Sequence, residues 1–351
     1  MSIGFETLQN KNCEENPENF FCNQQDLRRF KCGHYILSDP TLLKKPENIP
    51  SNYIAYNPSA IWTTMDRAGN PHDIMYARVE PRYDNHLGVT ESRPYEIFTD
   101  DLSKTPQPYD EAEIKIGEDP ALTRVNRLVN GKMFGVWLMS CVKVIPSLEK
   151  PGEVESIHTE FYEGEKLSRL EKVAEGPTGM KDIRISPVNG SGSKIHVYGR
   201  PQTQEFSGNI THTILNSLDD LCPSSIANAN YIDENLLRVG SGIWGGANDI
   251  FSEDEIHNLI LAHRAWRTGK DGLGRHYEAV FYRHNLLEKT ITDLGYIATA
   301  DLFPELEAKS NGCINLRPVF FPGGGKNGKP EYLSGGVGDS ALSCSRLQKA
   351  A

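Results

Sequence analysis

The stretch Gly117-Glu118-Asp119-Pro120-Ala121-Leu122-Thr123-Arg124, followed through Asn130-Gly131 by Lys132-Met133-Phe134-Gly135-Val136-Trp137-Leu138-Met139, decides how the chain is read. Asn-Gly between two apolar segments is the strongest short-range signal for a tight β-hairpin. A Glu-Asp-Pro turn therefore stands at the mouth of a strand, and the proline fixes the backbone there. A carboxyl group held rigidly at a strand mouth can act as a general acid. Taken alone, the same triplet is an ordinary turn that carries carboxylates.

Outward from this hairpin the signal stays β. Tyr53-Ile54-Ala55-Tyr56 and Asp73-Ile74-Met75-Tyr76-Ala77-Arg78-Val79-Glu80 read as strands around the turn Asp66–Pro71. The pattern of strand, glycine-bearing turn, strand and polar tail recurs at 121–145, 180–200, 244–284 and 313–338. That spacing is near the repeat length of propeller blades. Helical signals are few. Ser252-Glu253-Asp254-Glu255 matches a capping box and predicts one helical turn before a hairpin. Residues 215–230 can hold a short connecting helix. No βαβ alternation is present, which argues against a parallel α/β sheet.

Composition narrows the function classes. The 351 residues carry a formal net charge of −10 and are 38% hydrophobic, a globular composition. No Lys/Arg-rich block offers a face for nucleic acid, and no apolar run reaches the roughly 18 residues of a membrane span. Met1–Asn12 lacks the basic and apolar regions of a secretory signal. A cytoplasmic location is the expectation. The seven cysteines form no C-x-x-C pair, so zinc and redox motifs lack support. Neither a metal nor an organic cofactor is expected.

Several motifs carry chemistry. Arg78, Glu80 and Arg82 share one strand face because side chains alternate. They suit either a salt-bridged edge or a polar funnel wall. Gly176-Pro177-Thr178-Gly179-Met180-Lys181-Asp182-Ile183-Arg184 opens a hairpin that closes at Gly199-Arg200-Pro201-Gln202. Lys181, Arg184 and Arg200 at its ends can clamp a phosphate, or form a surface ion-pair network. Asn57-Pro58 ends a strand and reads as an ordinary turn of turn-forming residues, or as an amide that grips a sugar hydroxyl. Trp244-Gly245-Gly246-Ala247-Asn248 and Gly335-Gly336-Val337-Gly338-Asp339-Ser340 set an aromatic, small residues and polar groups together, as a sugar platform does. Gly323–Pro330 approaches a phosphate-binding P-loop but has Pro330 where the metal-binding hydroxyl belongs, so it reads as a hairpin loop. G-x-S-x-G, H-E-x-x-H and G-x-G-x-x-G are absent.

The order of these motifs, from Tyr56-Asn57 through Arg78-Val79-Glu80, Asp119-Pro120-x-x-Thr123-Arg124, Gly176–Arg184, Arg200-Pro201-Gln202 and Trp244–Asn248 to Gly335–Ser340, resembles the mannosyltransferase/phosphorylase family acting on β-1,2-mannan. That family is related to the β-mannoside phosphorylases. The resemblance covers nearly the whole chain beyond residue 50, with a departure at Pro322–Lys326.

The resemblance implies an all-β fold, a five-bladed β-propeller with its active site in the central funnel and few short helices. Residues 51–351 would form that single catalytic domain, with 1–50 an extension packing on it. Asp119 matches the general acid. Asn57, Arg78, Glu80, Asp182, Trp244, Asn248 and Asp339 would surround the sugar. Lys181, Arg184, Arg200 and Arg124 would meet phosphate, and Glu118 would give Asp119 structural support. The implied partners are mannose oligosaccharides, inorganic phosphate, mannose 1-phosphate and, for some relatives, GDP-mannose. Phosphorolysis needs one acid and a cationic clamp, because phosphate is itself the nucleophile. An inverting hydrolase needs a second carboxylate to activate water, and Glu80, Asp182 and Asp339 are available. A non-catalytic glycan-binding propeller is the third reading.

Overall fold

Ile74-Met75-Tyr76-Ala77 and Leu259-Ile260-Leu261-Ala262 are apolar without alternation, and every one of these residues is buried. Side chains of a strand point alternately to two faces, so both faces of these strands must be covered. The computed structural model, which describes residues 35–43, 49, 53–65, 68–81, 92–99, 107–108, 117–150, 154–202, 209–232, 243–268, 274–302, 319–338 and 341–349, shows how. Five antiparallel sheets stand around one axis as a five-bladed β-propeller, each packed between two neighbours.

Blade 1 holds Tyr53–Pro58, Pro71–Pro81, Arg93–Phe98 and Gln107–Pro108, with Trp62–Met65 also paired to Pro71–Pro81. Blade 2 holds Glu118–Val129, Lys132–Pro146, Val154–Gly164 and Glu171–Glu175. Blade 3 holds Met180–Pro187, Ile195–Pro201, Thr211–Leu215 and Asn230–Tyr231. Blade 4 holds Ile243–Ser252, His257–Thr268, Gly274–Asn285 and Thr290–Thr299. Blade 5 holds Phe320–Lys326, Lys329–Val337 and Ala341–Lys349. Its outermost strand is Tyr35–Leu43, from the stretch that the sequence reading set ahead of the propeller, paired antiparallel to Ala341–Lys349. One sheet thus joins strands from the two ends of the described chain.

The first strand of each blade packs on the first strand of the next, and Phe320–Lys326 returns to Tyr53–Pro58. The ring is closed there by hydrogen bonds from Ile61 N to Gly325 O (2.8 Å) and from Asn327 N to Ile61 O (2.8 Å). Five apolar clusters fill the five gaps between blades. Ile74 and Tyr76 face blade 2 with Leu122, Trp137 and Met139, whereas Met75 and Ala77 face blade 5 with Leu342. Leu259 and Leu261 join Phe320 and Leu333 of blade 5, whereas Ile260 and Ala262 join Tyr198 of blade 3. Each such large apolar side chain contributes about 1.5–3 kcal/mol on burial.

The glycine-rich run lies in strand Phe320–Lys326, and its loop is only Asn327-Gly328, both left-handed (φ 52° and 70°) as a two-residue hairpin requires. One helical expectation holds: Pro223–Ala227 is a short helix within the predicted stretch. The other fails. Ser252–Glu255 forms no helix but the turn of the blade 4 hairpin, because the Asp254 carboxylate accepts from Ile256 N and His257 N, both at 2.8 Å, and closes a turn instead of a cap. No helix among the described residues is long and apolar enough to cross a membrane.

Candidate active site

All five first strands carry a one-residue slip in pairing register at the same level. The slips fall between Tyr56 and Pro58, Glu118 and Ala121, Lys181 and Arg184, Ala247 and Asp249, and Pro322 and Gly324. A bulge leaves one residue unpaired and re-aims its side chain. In the first three strands that residue is left-handed and not glycine: Asn57 (φ 47°), Asp119 (φ 48°) and Asp182 (φ 53°). Asn and Asp tolerate this conformation best among side-chain-bearing residues. The other described non-glycine residues with positive φ are Asn130, Lys289 and Asn327, all outside the bulges. Sparsely populated backbone collected at one level of a funnel points to function.

The acidic half of the site lies between blades 1 and 2. Asp119 is buried, and its Oδ1 accepts a hydrogen bond from Asn57 Nδ2 at 2.8 Å. Arg78 is the shared cation. Its Nη2 reaches Glu80 Oε2 at 2.8 Å and Glu118 Oε1 at 2.9 Å, and its Nη1 stands 3.6 Å from Asp119 Oδ1. Tyr56 Oη (2.6 Å) and Ser92 Oγ (2.7 Å) donate to Glu80 and hold it in place. The Arg78 guanidinium also lies 5.0 Å from the Tyr56 ring centroid. Burial works against its charge, but Glu118, Asp119 and Glu80 outweigh it and hold its pKa well above the usual value. Burial pushes the Glu118 carboxyl up to about 7, with Arg78 drawing it back and Asp119 adding to the rise. Asn57 depends on a glycine: a Cβ on Gly336 would come 2.5 Å from Asn57 N and 2.8 Å from its Oδ1.

The basic half lies between blades 3 and 4. Asp182 is buried, 2.9 Å from Arg200 Nη1 and 3.9 Å from Arg184 Nη2. Burial raises its carboxyl, but Arg200, Lys181 and Arg184 together hold it below the usual range. Three cations on one carboxylate leave a positive surplus. Lys181 is half-buried and its ammonium has no hydrogen-bond partner among the described residues. Burial, with Arg200 adding to it, lowers its pKa, while Asp182, Asp119 and Glu118 pull the other way. Buried polar atoms normally find a partner, yet Asn57 Oδ1, Asp182 Oδ1 and Arg200 Nε have none in hydrogen-bonding range among the described residues.

Asn248, the bulge residue of blade 4, sets the state of a histidine that sequence reasoning missed. Its Nδ2 donates to Pro322 O at 2.7 Å, so its Oδ1 is the acceptor for His263 N (2.9 Å) and His263 Nδ1 (2.8 Å). The His263 proton is thereby on Nδ1, and Nε2 accepts from Arg200 Nη1 at 2.6 Å. Burial and the neighbouring Arg200 keep the ring neutral, with its pKa well below the usual value. A Cβ on Gly246 would press on Arg200 Cδ at 2.9 Å and on His263 Cε1 at 3.1 Å, so that glycine clears room for the pair. The only sequence signal for His263 is a single imidazole inside the apolar run Leu259–Ala265.

The remaining expected residues are placed as follows. Trp244 is half-buried with its ring edge-on to Tyr277 (5.7 Å between centroids), and Tyr277 lies along His263 (5.8 Å). Arg184 donates to Asn248 O at 3.2 Å and, with Asn248 and Asp249, lines a small pocket among the first strands of the blades. Burial pushes the Asp249 carboxyl up to about 6 against hydrogen bonds from Gly325 N and Ile250 N. Arg124 is not brought to the cluster. It is exposed, with its guanidinium 5.2 Å from the Trp137 ring centroid, and five strand residues beyond Asp119 is about 17 Å. Asp339 and Arg82 lie outside the described residues. His158, Glu160 and Glu175 on blade 2 have metal-ligand spacing. The Lys172 ammonium already fills the place of a cation there, 2.7 Å from Glu160 and 3.2 Å from Glu175.

The model of a family described as "Protein of unknown function (DUF1861)" matches residues 55–348. No curated protein matches the chain. Among solved structures, the chain is similar to MPT-1, a GDP-Man-dependent mannosyltransferase from Leishmania mexicana, with a TM-score of 0.70, 23% identity and 93% of each chain covered. It is similar to MPT-4, a mannose phosphorylase from the same organism solved with a phosphate ion, with a TM-score of 0.67, 22% identity and 88% of each chain covered. A hypothetical protein from Leishmania major gives a TM-score of 0.65 at 22% identity, covering 89% of this chain and 90% of its own. At these identities the likeness is one of fold.

Proposed function

The chain belongs to the family of proteins of unknown function DUF1861, and on that premise we propose that it is an inverting phosphorylase and mannosyltransferase that breaks and makes β-1,2-linked mannose oligosaccharides. One observation carries the proposal: a buried carboxyl group and a cluster of cations in surplus stand on neighbouring bulges of one funnel. Asp119 is the general acid. Asn57, Arg78 and Glu80 fix it and line the sugar subsite, with Trp244 as the apolar platform. Lys181, Arg184 and Arg200, braced by Asp182, Asn248 and His263, hold phosphate.

In the cleaving direction a phosphate oxygen attacks the anomeric carbon from the face opposite the glycosidic bond. The bond to the leaving oxygen breaks, and that oxygen takes the Asp119 proton. The anomeric centre inverts, so a β-linked mannosyl unit leaves as α-mannose 1-phosphate. In the reverse direction the Asp119 carboxylate takes the acceptor's hydroxyl proton while mannose 1-phosphate loses phosphate. No protein base is required, which fits a basic half that holds one carboxylate under three cations.

Two donors suit a basic half with three cations on one carboxylate, mannose 1-phosphate and GDP-mannose. The structurally similar MPT-1 and MPT-4 differ in this respect, one being GDP-Man-dependent and the other a phosphorylase. The test is synthesis from mannose with each donor in turn, read by the linkage of the product. A β-1,2-linked product from either donor supports the proposal. Absence of product from both, with oligosaccharide bound but unchanged, would mean a glycan-binding propeller.

A further inference from the structure

In a regular strand Glu118 and Asp119, being adjacent, would point to opposite faces. The bulge and the left-handed Asp119 backbone (φ 48°) bring both side chains to one guanidinium instead, at 2.9 and 3.6 Å from Arg78. Each carboxylate uses one oxygen in this way: Glu118 Oε1 takes the Arg78 hydrogen bond, and Asp119 Oδ1 takes that of Asn57. Their second oxygens have no hydrogen-bond partner among the described residues. Glu118 is as buried as the acid it accompanies, 9% exposed against 7%. Nothing in the acid's own chemistry requires a second buried carboxylate there.

We propose that Glu118 is a positioning residue for the acid: together with Glu80 it engages the Arg78 guanidinium at 2.8–2.9 Å, holds it 3.6 Å from Asp119 Oδ1, and so keeps Asp119 out of a tight ion pair that would draw off its proton. This rests on the reading of Asp119 as the general acid. The charges support it. Facing Glu118 are Arg78 and Glu80 from blade 1, Asp119 from its own strand and Lys181 from blade 3. Four cations (Arg78, Lys181, Arg184, Arg200) meet five carboxylates (Glu80, Glu118, Asp119, Asp182, Asp249) across the funnel. A phosphate dianion in the basic half adds two negative charges to that set. A proton kept on the acid offsets part of them. Phosphate binding and readiness of the acid are thereby coupled. Two carboxylates in one desolvated site cannot both ionise freely.

The first readout needs no substrate. Infrared difference spectra between wild type and Glu118→Gln, collected from pH 4 to pH 9, should contain a protonated-carboxyl band that persists to about pH 7. Phosphate should carry it to higher pH. A pair fully ionised by pH 6 in the free enzyme overturns the proposal, and the acid assignment is decided separately by Asp119→Asn. The second readout is the pH–rate profile. In Glu118→Gln the alkaline limb should move down by about one unit or more, so that activity falls most at neutral and alkaline pH. Glu118→Asp, which keeps the charge, should move it back towards wild type. A uniform loss at every pH in Glu118→Gln, unrelieved in Glu118→Asp, marks a merely structural residue and also overturns the proposal. Asp119→Asn separates the two claims: turnover in that variant refutes the acid assignment, whatever Glu118 does.

Discussion

Asp119 stands on a left-handed backbone, buried, with one oxygen fixed by Asn57 and the other lacking a partner among the described residues. Substitution by asparagine preserves this shape and removes the proton. Asp119→Asn should therefore abolish turnover while the thermal unfolding temperature stays within a few degrees of wild type. Arg200 behaves differently, because it neutralises a buried carboxylate. Arg200→Ala takes from Asp182 its 2.9 Å partner, leaving Arg184 at 3.9 Å, and should cost about 3 kcal/mol of stability, measured by denaturant unfolding, along with a raised KM for phosphate. Much of this cluster was legible in the sequence. Asp119 was marked by its turn, and Lys181, Asp182 and Arg200 by a charged hairpin between glycines. Glu118 was read only as structural support for Asp119, and His263 was not marked. Period-two alternation sends Glu118 away from Asp119, and only the bulge reverses that. His263 sits in an apolar run where a histidine usually packs without chemical duty.

Bulges at one level of the five first strands turn five hairpins into a site. Each re-aims a residue that a flat strand would not present, and glycines on adjoining strands clear the space. Gly336→Ala tests this without touching a polar group. Its new Cβ would displace Asn57 and with it the Asp119 oxygen. Misplacement on the scale of an ångström can cost about a hundredfold in rate. A fall in kcat of that order is expected, together with a loss of about 1–3 kcal/mol of stability because the new Cβ meets backbone. Hairpins and turns were readable from Asn-Gly and glycine runs, because turn chemistry is local. Bulges were not, since an extra residue is defined only by the partner strand. The same limit explains Ser252–Glu255, where the local pattern for a helix cap also serves a hairpin turn.

For the molecule as a whole, the recurring unit of strand, turn and strand indicated a propeller, and the resemblance indicated five blades. The closure of the ring was not legible, because Tyr35–Leu43 lies in a polar stretch and its partner strand is some 300 residues away. Deleting residues 1–43 removes that strand and the packing of Leu42 and Leu43. The unfolding temperature should fall by about 5–10 °C. A buried histidine group between blades 3 and 4 sets the acid limit of stability. His196 pairs with His212 (3.0 Å), and His284 with Tyr198 (2.9 Å). Burial lowers their pKa values to about 4, about 2 and about 4 for His196, His212 and His284. The unfolded chain takes up these protons from about pH 6.5, so the unfolded state binds more of them and stability must decline as pH falls from there towards 4. Thermal unfolding across pH 4 to 7 should show that decline, reduced in His284→Gln.

The central claim is that Asp119 protonates the leaving oxygen while phosphate attacks from the cationic side. Incubation of β-1,2-mannobiose with inorganic phosphate, followed by phosphorus and proton magnetic resonance, tests it most directly. The account predicts α-mannose 1-phosphate and mannose in equal amounts from wild type, only with phosphate present, and neither from Asp119→Asn. Release of free mannose alone without phosphate, or sustained turnover by Asp119→Asn, would contradict it.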